Sequence, residues 1–579
     1  MSSILIVLTG FAFFYLGYKF YSKFIATKIF DIYDPSFITP SKEMQDGVDY
    51  LPTKKYILFG HHFTSIAGAA PIIGPCVAAY WGWLPALLWI LFGTVFMGAV
   101  HDFGALVVSV KEKGRSIADV ASSTVSKRVR LMFLIFILML VWLVLAVFAM
   151  VIADLFVSNP EAVIPINIQI LVAIAIGFLM YKKNVKIIAP SIIAVFLLYS
   201  FMAVGTYFPI SINEPIFGLS SRNFWIIALF IYSSIASLLP VWMLLQPRDY
   251  INSHQLFIGL GLLFLGVFVA QPLVEAPAIR SLEDELTPSI LPLLFVTIAC
   301  GAISGFHGLV SSGTSSKQLE NIQDARMVGY GGMIGEGSLA LFSTIAAVAG
   351  ISLVTQSDIP HFHVAEFVQN KSNWELYYDT WEHARGNKAL AFVLGGSELL
   401  QSLGIPKQFA STLMSVLVIS FAATTLDTAT RIQRFIINEF GQSLKIKSFS
   451  NKYIATLIAV LPAIFLAFWD VPDPASSSDS ARSAGFVLWP IFGASNQMLA
   501  ALTLMVISIY FLKRKKNVLP LVVPMFIVLI ITFVSLLQKS IYEFGNNNVL
   551  FFISLSLLVL IMWMVIEGVI KVLEIKKSM

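Results

Sequence analysis

Runs of about 20 predominantly apolar residues recur along all 579 positions of this sequence, and a helix needs that length to cross about 30 Å of hydrocarbon. Inside lipid every backbone N–H and C=O must find its partner within the chain, so runs this long and this apolar are helical. About 15 of them can be delimited, from residues 3–21 to residues 549–571. The expected fold is an all-α polytopic membrane protein of about 15 transmembrane helices. With 57% hydrophobic and 12% charged residues, the composition excludes a string of soluble domains. The first run lacks a basic start and a small-residue cleavage site, so it reads as a retained anchor over 1–21, followed by a cytoplasmic linker over 22–58.

The formal charge of +5 acquires meaning only when it is distributed over the loops. With the N-terminus outside, the segments holding Lys54 and Lys55, Lys111 to Arg130, Lys182 to Lys186, Arg431 to Lys452 and Lys513 to Lys516 all fall on the cytoplasmic side. That bias is expected of a plasma-membrane protein, and it leaves the C-terminus cytoplasmic. The basic balance is thus a topology signal, and no basic and aromatic interleaving points to nucleic acid. The partners implied are the bilayer and a small molecule, with a homo-oligomer left open. Cys76 and Cys300 lie in apolar segments without metal or disulfide spacing and read as buried small hydrophobes.

One stretch is different. Phe59 to Val110 fuses two membrane-length segments, and Gly68, Pro71, Gly74 and Pro75 interrupt the first of them. A helix broken at bilayer depth frees backbone groups that only protein or an aqueous cavity can satisfy, and in secondary transporters such breaks line the substrate and ion site. A kink packed closely on a neighbour is the structural alternative. The candidate substrate-binding residues are His62, Ser65, Gly68 and Ala69, joined by Ser233, Ser234 and Ser237 beside Pro240 in the span near 224–246. That span is expected to be the second interrupted one. Ten spans then lie between 59 and 428, and two sets of five, 59–209 and 224–428, must run in opposite directions. This is the five-plus-five inverted repeat of leucine-transporter-like carriers. An outer loop, 357–406, is expected to form short helices over the outer mouth, with a lid role left open, and 429–579 forms a C-terminal membrane region.

Titratable groups within apolar spans are costly unless they face the protein interior. His61, His62, His101, Asp102, His307 and Glu336 are therefore candidates for a proton relay. Oxygen ligands suit a hard cation, and Gly68 with Ser304, Ser311 and Ser312 forms a candidate sodium site. Asp427 and Arg431, four residues apart, read as a helix-end ion pair. His361, His363 and His383 in the outer loop read as solvated rather than as a metal site.

FGHHF, the broken run after it, HDF, the GRS at Gly114 to Ser116, CGAISGFHGLVSSGTSSKQL, GYGGMIGEGSLA, FAATTLDTATR and WPIFGASNQMLAAL together resemble the carbon starvation protein A (CstA) family of bacterial membrane transporters. The resemblance spans Phe59 to Leu502. It implies an APC-superfamily fold and import of carbon sources, short peptides or pyruvate, during starvation. No Gly-Lys-Ser/Thr of a phosphate-binding loop is present, so the energy source is a gradient of H+ or Na+ and no other cofactor is implied. Two other classes are weaker expectations. A histidine-metal membrane enzyme would need several histidines on one helix face, and a nutrient receptor would need a signalling domain that the tail KVLEIKKSM does not supply.

Overall fold

The computed structural model describes residues 2–34, 36–183, 185, 188–281, 288–360, 371–386, 389–469 and 484–578. Among these, every regular element is helical, with three isolated β-bridges besides. Among the described residues eleven helices are long and apolar enough to cross a membrane, and one pair bent by 47° is long and apolar enough when its two halves are taken together. The chain is a multi-pass membrane protein.

In chain order the helices are α1 (Ser3–Phe30), α2 (Lys55–Ile66), α3 (Ala70–Trp81), α4 (Trp83–Lys111), α5 (Ile117–Thr124), α6 (Lys127–Ser158), α7 (Pro160–Met180) and α8 (Ala189–Tyr207). Then follow α9 (Ser221–Leu238), α10 (Leu245–Ala270), α11 (Ile290–Thr297), α12 (Gly305–Gly313), α13 (Ile322–Leu353) and α14 (Leu390–Gln401). The last are α15 (Lys407–Leu444), α16 (Lys452–Phe468), α17 (Leu488–Leu512), α18 (Leu519–Glu543) and α19 (Asn548–Ser578).

Burial sorts them. The apolar windows of α6, α13, α15 and α17 are 83–94% buried, whereas those of α18 and α19 are 39% and 33% buried. A helix apolar on all sides belongs at the centre of a bundle, and α6 and α15 pack on each other there. The half-buried α18 and α19 turn Phe526, Ile530, Phe552 and Val559 outward, as a lipid-facing rim requires.

Packing partners recur in two parallel sets. Helix α3 lies on α13, and α12 lies on α4; α5 lies on α6, and α14 lies on α15. Helix α9 touches α6 and α15, as α16 does, and α9 and α16 touch each other. Helix α10 packs on α2 and α15, while α17 packs on α11 and α6. Helices α7 and α8 pair chiefly with one another.

Two expectations are corrected. Helix α1 does not end at 21: it continues through π-helical turns at Gly17–Tyr21 and Ala26–Phe30 until Asp31 turns left-handed at φ 51°, and the Lys111 ammonium binds the Phe30 carbonyl at 2.7 Å. The span near 224–246 is not interrupted at its serines. Helix α9 runs unbroken through them to Leu238, because their hydroxyls return to their own helix, Ser233 and Ser234 to the Phe230 carbonyl and Ser237 to that of Ser234. The second discontinuous helix is instead α11 and α12, parted at residues 298–304. The described part of the outer segment 357–406 is largely helical. It contains the largely buried α14, and Tyr378 donates to the Cys76 carbonyl at 2.7 Å, which fixes the segment to the end of α3.

Candidate functional site

The first break is abrupt. Helix α2 stops at Ile66, Ala67 leaves helical geometry with ψ 75°, and α3 resumes at Ala70 at 47° to it. Pro71 sits in the first turn of α3, where its missing N–H is no loss. The small residues are required by their neighbours. A Cβ on Gly68 would stand 2.7 Å from Phe148 and from the Thr425 hydroxyl, and one on Gly74 would stand 2.4 Å from the Thr297 carbonyl oxygen. Thr297 ends α11, so the two discontinuous helices meet backbone to backbone close to both breaks. Gly74→Ala is expected to cost about 1–3 kcal/mol by forcing those backbones apart and to lower the thermal midpoint of the purified protein. An unchanged midpoint would mean that the contact has slack.

At the second break, side chains satisfy the freed backbone. Asn496 on α17 accepts the Phe306 N–H at 2.9 Å and donates to the Ser304 hydroxyl at 2.9 Å. Gln497 donates to the Phe295 carbonyl at 2.7 Å, Trp89 to that of Ile298 at 3.2 Å, and Thr94 to that of Gly301 at 3.1 Å. Buried carbonyls in lipid need such partners.

Beside the breaks runs a buried chain of titratable groups. Asp102 on α4 holds His101 at 2.8 Å with one oxygen and the His307 Nδ1 of α12 at 2.9 Å with the other. The His307 Nε2 lies 3.1 Å from Glu336 on α13. All four residues are at 0% exposure. The His307 Nδ1 is hydrogen-bonded to Asp102, whereas its Nε2 stands at ion-pair distance from Glu336 with no hydrogen bond formed, so the two ring nitrogens face two different carboxylates. Glycines make room for the rings: a Cβ on Gly308 would come within 3.1 Å of His101, and one on Gly332 within 2.9 Å of His62. Cys300 is more than a packing residue, since its sulfur receives a hydrogen bond from Asn496 at 3.4 Å and lies within 4.8 Å of the His307 and Glu336 polar atoms.

The adjacent histidines of α2 part company. His62 pairs with Ser315 at 2.8 Å, and its Nε2 has no hydrogen-bond partner among the described residues. His61 pairs with Asp249 at 2.6 Å, and Ser65 donates to the same carboxylate at 3.1 Å. Asp249 leads into a second buried network that sequence reading missed. Arg248 contacts Asp249 at 3.4 Å, forms a close ion pair with Asp427, and donates to Tyr232 at 2.7 Å. Tyr232 in turn donates to Asp427 at 2.7 Å.

The helix-end pair Asp427 and Arg431 is therefore corrected. Arg431 turns the other way, onto the Leu239 carbonyl at the end of α9, with Asp49 at 3.7 Å. Of the sodium candidates, Gly68 adjoins Thr425, Ser304 is held by Asn496, and Ser312 donates to the Gly308 carbonyl at 2.7 Å while accepting the Ile117 N–H at 3.1 Å. Only the Ser311 hydroxyl among those three serines is buried without a partner. Ala69 caps α3. His383 pairs with Asp379 at 2.6 Å, and His361 and His363 lie outside the described residues.

The model of the carbon starvation protein CstA family matches residues 2–535. This chain belongs to the CstA family. Among its relatives, the peptide transporter CstA of Helicobacter pylori strain 26695 is 32% identical, the match covering 92% of this chain and 82% of the relative. Two Escherichia coli K12 proteins, the peptide transporter CstA at 31% identity and the pyruvate/proton symporter BtsT at 30%, each match over 89% of this chain and 78% of their own length. A manganese transporter structure from Eremococcus coleocola overlays 93% of this CstA-family chain and 99% of its own at 12% identity, with a TM-score of 0.47. The CstA relatives are named as transporters rather than enzymes.

Proposed function

We propose that this CstA-family protein is a secondary active importer of small carboxylate-bearing nutrients, short peptides or pyruvate, and that protons drive it. The observation that carries this reading is the contact between two discontinuous helices beside a fully buried histidine and carboxylate chain, Asp102, His307 and Glu336. Discontinuous helices present free amides to an anionic substrate group, and intramembrane titratable chains serve proton coupling. The substrates named for the relatives, peptides and pyruvate, both carry a carboxylate. His62, with one ring nitrogen unpartnered at the foot of the first break, is the residue assigned to the junction of substrate and proton paths. His61 and Ser65 are assigned to holding α2 on α10 through Asp249.

The recurring packing partners support an inverted repeat with bounds different from 59–209 and 224–428. The first half is 55–270, with α7 and α8 as an inserted hairpin, and the second is 290–512. The second broken pair, α9 and α16 are counted as crossings beside the helices already assigned, which gives about 15 spans and puts the two termini on opposite sides. The positive loops then favour an outer N-terminus in the bacterial cell membrane.

Uptake into proteoliposomes tests the function. Pyruvate, dipeptides and tripeptides are offered under an imposed proton gradient and, separately, under a sodium gradient. One class of substrate should accumulate with the proton gradient and none with sodium alone. Accumulation under sodium alone would move coupling to a cation, and mere equilibration under both would reject symport.

A further inference from the structure

A basic cavity lies at the end of the bundle, away from the two breaks and the buried relay chain. It has a volume of about 420 Å³ and sits where the end of α9 meets α15 and the start of α16. Arg431, Arg434 and Lys452 line it together with Asn438 and Ser450, and no lining residue is acidic. The nearest carboxylate paired with these cations among the described residues is Asp49, 3.7 Å from Arg431. Arg431 is 1% exposed, and its Nε has no hydrogen-bond partner. Arg434 lies over the Phe435 ring and Lys452 over that of Tyr453, at 4.9 and 5.2 Å, and Asp49 is the carboxylate that acts on Arg434 as well as on Arg431.

Three cations around one cavity, one of them buried with a bare N–H, outnumber the single carboxylate Asp49 beside them, and the remaining positive charge favours a further anion there. Guanidinium groups present parallel donors that match the oxygens of a phosphate. From the same cavity edge α16 turns Ile454, Leu457 and Leu461 outward, and α9 turns Ile231 and Ile235 outward, an apolar border on which acyl chains would lie. We propose that this cavity binds a phosphate-bearing anion, the headgroup of an acidic phospholipid, and thereby ties the end of α9 to α15 and α16 through Arg431.

The test uses the full chain purified in a neutral detergent. It is titrated with phosphatidylglycerol, with phosphatidylcholine and with inorganic phosphate, and retained lipid is counted by native mass spectrometry. Phosphatidylglycerol should be retained in preference to phosphatidylcholine. The R434Q/K452Q variant, which spares Arg431 and its hold on α9, should bind it about tenfold more weakly with an unchanged unfolding midpoint in phosphatidylcholine. The exposed K452Q change alone should show a smaller loss in the same direction. Displacement of the lipid by inorganic phosphate would assign the same site to a soluble phosphate, and retention in its presence assigns it to the headgroup. Equal retention of both lipids, equal binding of phosphatidylglycerol by the double variant, or binding of neither lipid nor phosphate would overturn the proposal.

Discussion

Glu336→Gln is expected to abolish gradient-driven accumulation while leaving substrate exchange across the membrane intact. The carboxamide keeps the shape of the side chain and can still meet His307, which lies 3.1 Å from the carboxylate, but it cannot take up and release a proton. Coupling depends on that exchange and binding does not, so counterflow of labelled substrate should persist when net uphill uptake is lost. The initial rate of proton-driven uptake should fall at least about a hundredfold, the lower end of what removal of a positioned acid or base takes away. Asp102→Asn should behave similarly, because Asp102 is the other carboxylate on the His307 ring. Normal accumulation by both variants would remove this chain from the coupling path and leave His62 as the remaining candidate.

The second large effect concerns stability. Arg248→Met alone should cost about 3–5 kcal/mol, because it strands Asp427 as an unpaired buried charge. Both residues are almost wholly enclosed, at 2% and 0% exposure. Arg248→Met with Asp427→Leu should recover most of that loss, since two apolar side chains can fill the site without any charge to desolvate. Asp249 keeps His61 and Ser65 as partners in the double variant. The check is the unfolding midpoint and the monodisperse fraction after extraction, compared across the two single variants and the double. A double variant no better than the singles would mean that the pair sets the arrangement of α10 against α15 rather than merely neutralising itself.

How much of this was legible in the sequence depended on where the signal was carried. The first break was readable because Gly and Pro at 68–75 disrupt a helix by their own chemistry. The buried cluster of titratable groups was readable because His, Asp and Glu inside apolar runs are conspicuous. The second break was not readable. Its segment, ACGAISG, contains no proline, and the groups that permit it, Asn496, Gln497, Trp89 and Thr94, come from distant turns of the chain. Ser233, Ser234 and Ser237 misled for the opposite reason, since hydroxyls that bond back to their own helix look in sequence like a polar interruption. Arg248 and Asp249 follow a Pro and precede a Tyr, so they read as the end of a span, and only the folded chain brings Tyr232 and Asp427 to them.

The grip of Asn496 and Gln497 on the second break also bears on the last fifth of the chain. These amides hold backbone and hydroxyl groups at and beside the gap between α11 and α12, so α17 is bound to that break like a splint to a fractured bone. Cutting the polypeptide after residue 469 would not yield a minimal carrier. It would remove the splint and leave the joint open to hydrocarbon.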